Sequence, residues 1–196
     1  MLSLLSMQQV RSHSRSGQSL VEAMIAISLL LIGFLGTITL INRSVGLTRV
    51  VADNYVATYL AAEGIEVTKS LIDANYLAHR PFYTGFSSCS PTACEWELES
   101  DTTWETKRPT PYAGHTFWYD PFSGRYSYDA IGTATNFTRK VTVKLEGATG
   151  NQISVVSRVE WKARGGGMSA VEVDDRFYDW YLLASPPSGG SPPAKP

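Results

Sequence analysis

An uncharged apolar run of nineteen residues, Ala23–Ile41, constrains the fold of this chain more than any other feature. The wider stretch Leu20–Ile41 has 22 residues, which is about 33 Å of α-helix at roughly 1.5 Å per residue and enough to cross a bilayer. Arg11 and Arg15 precede it without any acidic residue. By the positive-inside rule they place the N-terminus in the cytoplasm, although basic residues after the run weaken the asymmetry. We therefore expect a single-pass membrane segment followed by an extracytoplasmic part.

The junction before the apolar run reads Gly17-Gln18-Ser19-Leu20-Val21-Glu22. A secretory signal peptide is cleaved on the far side of its apolar region, whereas a break after Gly17 lies on the near side and keeps the apolar segment in the mature protein. This order resembles the type IV prepilin family. The resemblance implies that prepilin peptidase cleaves between Gly17 and Gln18 and then N-methylates Gln18. An ordinary, uncleaved signal anchor is the alternative.

Glu22 matches the glutamate at the fifth mature position of the prepilin family, whereas Gln18 departs from the phenylalanine of the best-known pilins. A carboxylate at the start of a membrane helix is costly unless it is paired. The resemblance implies that Glu22 pairs with the N-terminal amine of a subunit during assembly; in the alternative it is hydrated in the headgroup region. An unmodified N-terminal glutamine can cyclise to a neutral lactam and lose that amine. We therefore predict a methylated, uncyclised Gln18.

Gly33 and Gly36 interrupt the second half of the apolar run. Glycine lowers helix stability by about 1 kcal/mol relative to alanine, and the corresponding part of pilin helices often unwinds when subunits enter a filament. We expect Ile32–Thr39 to loosen in the same way. The alternative is that these small residues are simply tolerated in a membrane helix.

The helix is expected to continue beyond the membrane, from Ser19 to Tyr76, because no proline occurs before Pro81. Tyr55, Tyr59 and Glu66 fall on one face, which can pack within the chain or face other subunits. The adjoining apolar stripe is expected to pack on a C-terminal sheet; it comprises Val45, Ala52, Val56, Leu60, Val67, Leu71 and Ala74.

The rest of the chain reads as a β-rich domain with an irregular first part. Residues 80–121 are rich in proline and contain the only cysteines, Cys89 and Cys94, which an exported domain is expected to join in a disulfide; free thiols are the alternative. Apolar and polar residues alternate in Arg139–Glu146 and again from Ile153 to Trp161, which predicts an antiparallel hairpin with one buried side. Ala170–Trp180 predicts a further strand.

Composition and side-chain spacing favour an interaction protein over an enzyme. The net charge is −1, and removing Arg11 and Arg15 leaves 15 basic against 18 acidic residues, or −3, so no basic field suggests nucleic acid. No phosphate-binding glycine loop, nucleophile elbow or metal-ligand pair occurs, and no cofactor or metal is expected. Several aromatic side chains can bind sugars or surfaces, or pack in the core: Trp104, Phe117, Trp118 and Tyr119.

These features predict an α+β pilin fold, in which a long N-terminal helix packs on a C-terminal antiparallel sheet. The expected segments are a leader (1–17), a transmembrane and filament-core helix (18–41), its extracytoplasmic continuation (42–79), a β-rich domain (80–184) and a disordered tail rich in Pro, Gly and Ser (185–196). The resemblance implies a minor type IV pilin that acts in pilus assembly or adhesion, with prepilin peptidase, other pilin subunits and the inner-membrane assembly platform as partners. Two alternatives stay open, a pseudopilin of a type II secretion or DNA-uptake system and a monomeric membrane-anchored binding domain.

Overall fold

The computed structural model describes residues 16–147, 150–163 and 166–180. Its first element is a helix, α1, over Ser16–Leu77, so the long N-terminal helix expected from the sequence is confirmed. The predicted tail and most of the predicted leader lie outside the described residues. The chain divides into two compact units, Met1–Arg49 and Val50–Pro196, and each is described by itself below.

The C-terminal end of α1 is capped by backbone hydrogen bonds that satisfy two of its last carbonyl groups. The N–H of Arg80 donates to the carbonyl of Asn75 over 2.8 Å, and the N–H of His79 donates to that of Tyr76 over 3.0 Å. This pair of bonds is the Schellman motif, which needs a left-handed residue just past the helix. His79 supplies it with φ 52°, and Pro81 follows, where a further helical turn is impossible.

The second unit carries a seven-stranded antiparallel sheet. Its strands are β1 (Cys94–Glu97), β2 (Thr110–Pro111), β3 (Thr116–Asp120), β4 (Arg125–Ser127), β5 (Thr133–Glu146), β6 (Gln152–Lys162) and β7 (Met168–Tyr178). One edge of β5 pairs with β6 from Phe137 to Glu146, and β6 in turn pairs with β7. The other edge of β5 is shared by β3 and β1, which pair outward with β4 and β2.

The predicted hairpin and the predicted last strand are confirmed as β5, β6 and β7. In register, Val143 faces Val155 and Leu145 faces Ile153, and the alternating inward residues of β6 are buried. The expectation that residues 80–121 are irregular is wrong in part, because β1, β2 and β3 lie within them. These strands are short. β1 and β3 pair with the long edge of β5, and β2 pairs with β1.

The core of the second unit lies between α1 and the inward face of the sheet. Two clusters fill it. The first joins Ile65, Leu71 and Ile72 of α1 to Phe82, Phe86, Leu98, Val141, Val143 and Val155. The second joins Ala57, Leu60 and Ala61 to Phe117, Phe137, Val159 and Trp161. Where β5 and β6 pair, the opposite face of the hairpin is polar except for Val156, as expected of an antiparallel sheet that is covered on one side.

The predicted stripe on α1 is correct at three positions and displaced at others. Leu60, Val67 and Leu71 are buried, but Val45 and Ala52 are exposed. The buried face instead includes small residues, among them Ala57, Ala61 and Gly64, at spacings of three and four. A small residue at such a position lets the helix axis approach the sheet closely. Small side-chain size, as well as hydropathy, therefore determines which residues of α1 are buried.

Candidate functional site

The apolar segment of α1 is one candidate site, because its side chains are uncovered. Every described side chain from Ser19 to Val50 is exposed, with Leu30 at 72% and Leu40 at 70%. The helix is long and apolar enough to cross a membrane, and its most apolar 18-residue window has a mean hydropathy of 2.5. Such a surface is stable only against lipid or other apolar surfaces.

The hydroxyl groups of this segment are satisfied within the helix. Ser28 donates to the carbonyl of Met24 over 2.7 Å, and Thr37 donates to that of Gly33 over 2.9 Å. Bonds of this kind remove the cost of a polar group in an apolar medium. Glu22 is then the one ionisable side chain between Ser19 and Ile41, and it is exposed.

The predicted processing residues lie at the start of α1. Gly17 and Gln18 are in its first turn. Glu22 follows Gln18 by four residues, so the two are about one helical turn, or roughly 6 Å, apart along the axis. An amine created at Gln18 would therefore lie within reach of a carboxylate on its own helix or on an adjacent one.

Gly33 and Gly36 lie within intact helix, and a Cβ atom built on either would meet nothing within 4 Å. Close packing inside this chain therefore does not require glycine at these positions. The loosening of Ile32–Thr39 concerns the assembled state and stays a prediction.

Beyond Val50, α1 presents a second uncovered surface. Tyr55 and Tyr59 are each 63% exposed, their ring centroids are 5.0 Å apart, and the hydroxyl of Tyr59 donates to that of Tyr55 over 3.4 Å. This hydrogen bond raises the pKa of Tyr59. The two rings line an open groove of about 570 Å³ together with Val51, Asn54, Thr58 and Ala62. The predicted face is therefore solvent-accessible in the single chain.

Cys89 and Cys94 form a disulfide, with Cα atoms 4.9 Å apart. Cys89 is fully buried at the end of the 3₁₀ turn Ser87–Cys89, and Cys94 begins β1. The bridge therefore fixes the entry into the sheet.

Arg139 is a buried cation that the sequence did not single out. Its side chain is fully buried, it donates to the carbonyls of Leu60 in α1, over 2.6 Å, and of Leu98, and its guanidinium lies 4.8 Å from the centroid of the Phe117 ring. The carboxylate of Glu63 is 3.6 Å away. Arg139 thus ties α1 to the sheet, a structural role rather than a catalytic one.

Charged side chains also form two clusters beside β1, one around Glu97 and one around Lys107. Glu97 accepts hydrogen bonds from the backbone N–H groups of Ala113 and His115 and lies 2.7 Å from the His115 ring. Burial raises the pKa of Glu97, but these hydrogen bonds outweigh it and leave the pKa lowered. Lys107 bonds Glu99 and Asp101. Burial opposes its charge, but these bonds raise the pKa of Lys107.

The charged and aromatic side chains of the second unit can form ion pairs and contact a partner surface. Within the described part of the chain, no group of three or more His, Cys, Asp and Glu side chains is placed to hold a metal ion. His79 closes a helix and His115 pairs with Glu97. Of the aromatic candidates, Phe117 is fully buried and belongs to the core, whereas Trp104 is half-buried at the surface.

No family model, curated protein or solved structure matches this chain.

Proposed function

We propose that this chain is a minor type IV pilin, a filament subunit that prepilin peptidase cleaves after Gly17 and N-methylates on Gln18. One observation carries the proposal. A membrane-length helix with uncovered apolar side chains follows the Gly17–Gln18 junction directly, and Glu22 is its single ionisable group. The α+β architecture, a long helix with a sheet packed on its second half, supports a pilin fold.

The mechanism begins with storage in the membrane, with the N-terminus cytoplasmic and the sheet domain extracytoplasmic. Prepilin peptidase removes the leader and so creates a new amine at Gln18. The assembly platform then moves the subunit from lipid into a bundle of pilin helices. The groove beside Tyr55 and Tyr59 of α1 adds a second exposed contact surface for neighbouring subunits, outside the membrane.

Glu22 has a specific task in this mechanism. Transfer of leucine and isoleucine side chains from lipid to a helix bundle yields little hydrophobic free energy, because lipid tails are equally apolar. A carboxylate and an amine attract each other strongly once both leave water, and an unpaired charge there is heavily penalised. Apolar packing alone does not specify how neighbouring subunits align along the filament. Pairing of Glu22 with a Gln18 amine therefore fixes this register.

The test compares Glu22→Gln with Glu172→Gln, which makes the same chemical change at an exposed position of β7, away from α1. Both variants are expressed in cells that assemble the filament, and sheared filaments are separated from membranes. We expect equal membrane amounts but about a tenfold or greater loss of Glu22→Gln from filaments, equivalent to at least 1.4 kcal/mol. Equal incorporation of the two variants would contradict the pairing role.

A further inference from the structure

A cleft of about 380 Å³ opens on the surface of the second unit. Its walls come from the turn after α1, from β1 and from the loop between β1 and β2. Two tryptophans and two arginines dominate it, Trp96 and Trp104 with Arg80 and Arg108. This volume is near the lower end for small-molecule sites, so the cleft suits a small ligand or one unit of a longer one.

Trp104 is held in place from three directions. Its indole N–H donates to the carbonyl of Leu71 over 2.9 Å. Its ring meets Phe86 edge-on, at a centroid distance of 5.2 Å and an angle of 83°. The ring also lies directly against Gly85, which has φ 84°. A Cβ atom at this position would collide with the Trp104 ring. The indole is therefore positioned before any ligand arrives.

Trp96 is held by the sheet. It lies on β1, where it pairs with Pro111 and Val141. Its ring centroid is 5.8 Å from that of Phe86, so one buried phenylalanine supports both indoles. Each tryptophan is only half-buried, which leaves part of two fixed aromatic surfaces open to the cleft.

The arginines supply positive charge beside these rings. Arg108 is exposed, and its Nε donates to the carbonyl of Trp104 over 3.1 Å; among the described residues, no carboxylate forms an ion pair with it. Arg80 lies 3.5 Å from Glu105, but both side chains are about half exposed, and pairs of this kind are weak. The guanidinium of Arg108 is thus oriented through Nε, with its terminal N–H groups available.

We propose that this cleft binds an acidic sugar, a pyranose ring that carries a carboxylate. The C–H face of the ring packs on the indoles of Trp96 and Trp104, which provide rigid amphipathic surface. The carboxylate pairs with Arg108, because a guanidinium fits a carboxylate with two parallel hydrogen bonds.

The surroundings of the cleft favour a sugar acid over a nucleic acid. Proteins that bind single strands line a groove with basic residues along several nucleotides. Here the chain has a net charge of −1, and of the two arginines in the cleft one already faces Glu105. Two fixed rings and one available guanidinium match a single ring with a single acid group.

Isothermal titration of the full-length protein in detergent micelles tests this site. The probes are trigalacturonate, the neutral trisaccharide maltotriose and a ten-residue thymidine oligonucleotide. We expect trigalacturonate to bind and the other two to bind at least about tenfold more weakly. Arg108→Gln should weaken trigalacturonate binding about tenfold or more, as expected when a charge-assisted pair is lost. Arg176→Gln, the same change at an exposed position of β7, should leave binding unaltered.

Three results would overturn the proposal: equal binding of maltotriose, tighter binding of the oligonucleotide, or equal affinities of the Arg108 and Arg176 variants. Near-ultraviolet circular dichroism verifies that each variant keeps its fold. The measurement requires neither leader cleavage nor filaments. A failure here therefore leaves the pilin proposal standing, and a failure of filament incorporation leaves this one standing.

Discussion

Gly64 marks the closest approach of α1 to the sheet, and its replacement by alanine tests how the two elements pack. A Cβ atom at this position would lie 3.0 Å from a methyl group of Val141 and 3.2 Å from the Cβ of Ser157, with the Ser157 hydroxyl closer still. Alanine in a helix gains about 0.5–1 kcal/mol over glycine. Overpacking of a close-packed core typically costs about 1–3 kcal/mol. We expect a net loss of about 1–2 kcal/mol, because only the hydroxyl can rotate away.

The assay is denaturant unfolding of the full-length protein in detergent micelles, followed by tryptophan fluorescence. The unfolding free energies of the variants are compared with one common slope of free energy against denaturant concentration. Gly46→Ala is the matched control, because a Cβ there meets nothing within 4 Å. It should leave the unfolding free energy unchanged or raise it by up to about 1 kcal/mol, the gain of alanine over glycine in a helix.

A double-mutant cycle with Ser157→Ala tests whether collision with the Ser157 hydroxyl causes the loss of stability in Gly64→Ala. The Ser157 hydroxyl is buried and has no hydrogen-bond partner among the described residues, so its removal alone should be nearly neutral. Combined with Gly64→Ala it should recover about 0.5–1 kcal/mol, since directly contacting residues couple by such amounts. A Gly64→Ala protein as stable as the wild type, or no recovery in the double variant, would refute this description of the packing.

Two further perturbations follow from the buried charges. Arg139→Met should lower the unfolding free energy by about 1–3 kcal/mol in the same assay, because two buried carbonyls lose a charged donor; an unchanged midpoint would show that the guanidinium is dispensable. The pKa of Glu97 is lowered from its ordinary 4.5, so its contribution to stability is present above pH 4.5 and is lost as the pH falls through the lowered value. Glu97→Gln should therefore show a smaller fall in stability below pH 4.5 than the wild type, and equal falls would rule out this carboxylate as the source.

The long elements could be predicted because their patterns repeat. Alternation over β5 and β6 determines which side chains face α1, and it places Arg139 on the same side as Val141 and Val143. The charge of Arg139 argues against burial, and the alternation alone cannot reveal the helix carbonyl of Leu60 that accepts its hydrogen bond. A local pattern identifies a face but not the partner across the core.

The shorter elements were missed because they depend on partners that are distant in the sequence. β2 has two residues and β4 has three, too few for alternation to be recognised, and Pro111 lies within β2 itself. These strands exist because β1 and β3 pair with β5 and offer them an edge. The stripe of α1 was misplaced for a related reason, because Ala57 and Gly64 are buried for their small size.

The two candidate sites differ in the same way. The residues from Gly17 to Glu22 are consecutive, so a sequence can reveal the processing junction. The cleft is assembled from Trp96 on β1 and from Arg80, Trp104 and Arg108, which lie outside the helix and the strands. Of these only Trp104 was a candidate from the sequence, and no spacing rule connects it to the other three.

Mass spectrometry of the mature N-terminus, on protein from sheared surface filaments, tests the central claim most directly. The pilin proposal predicts that the chain begins at Gln18 and carries one added methyl group on an uncyclised amine. A chain that still begins at Met1, or one that begins with a pyroglutamate at position 18, would contradict it.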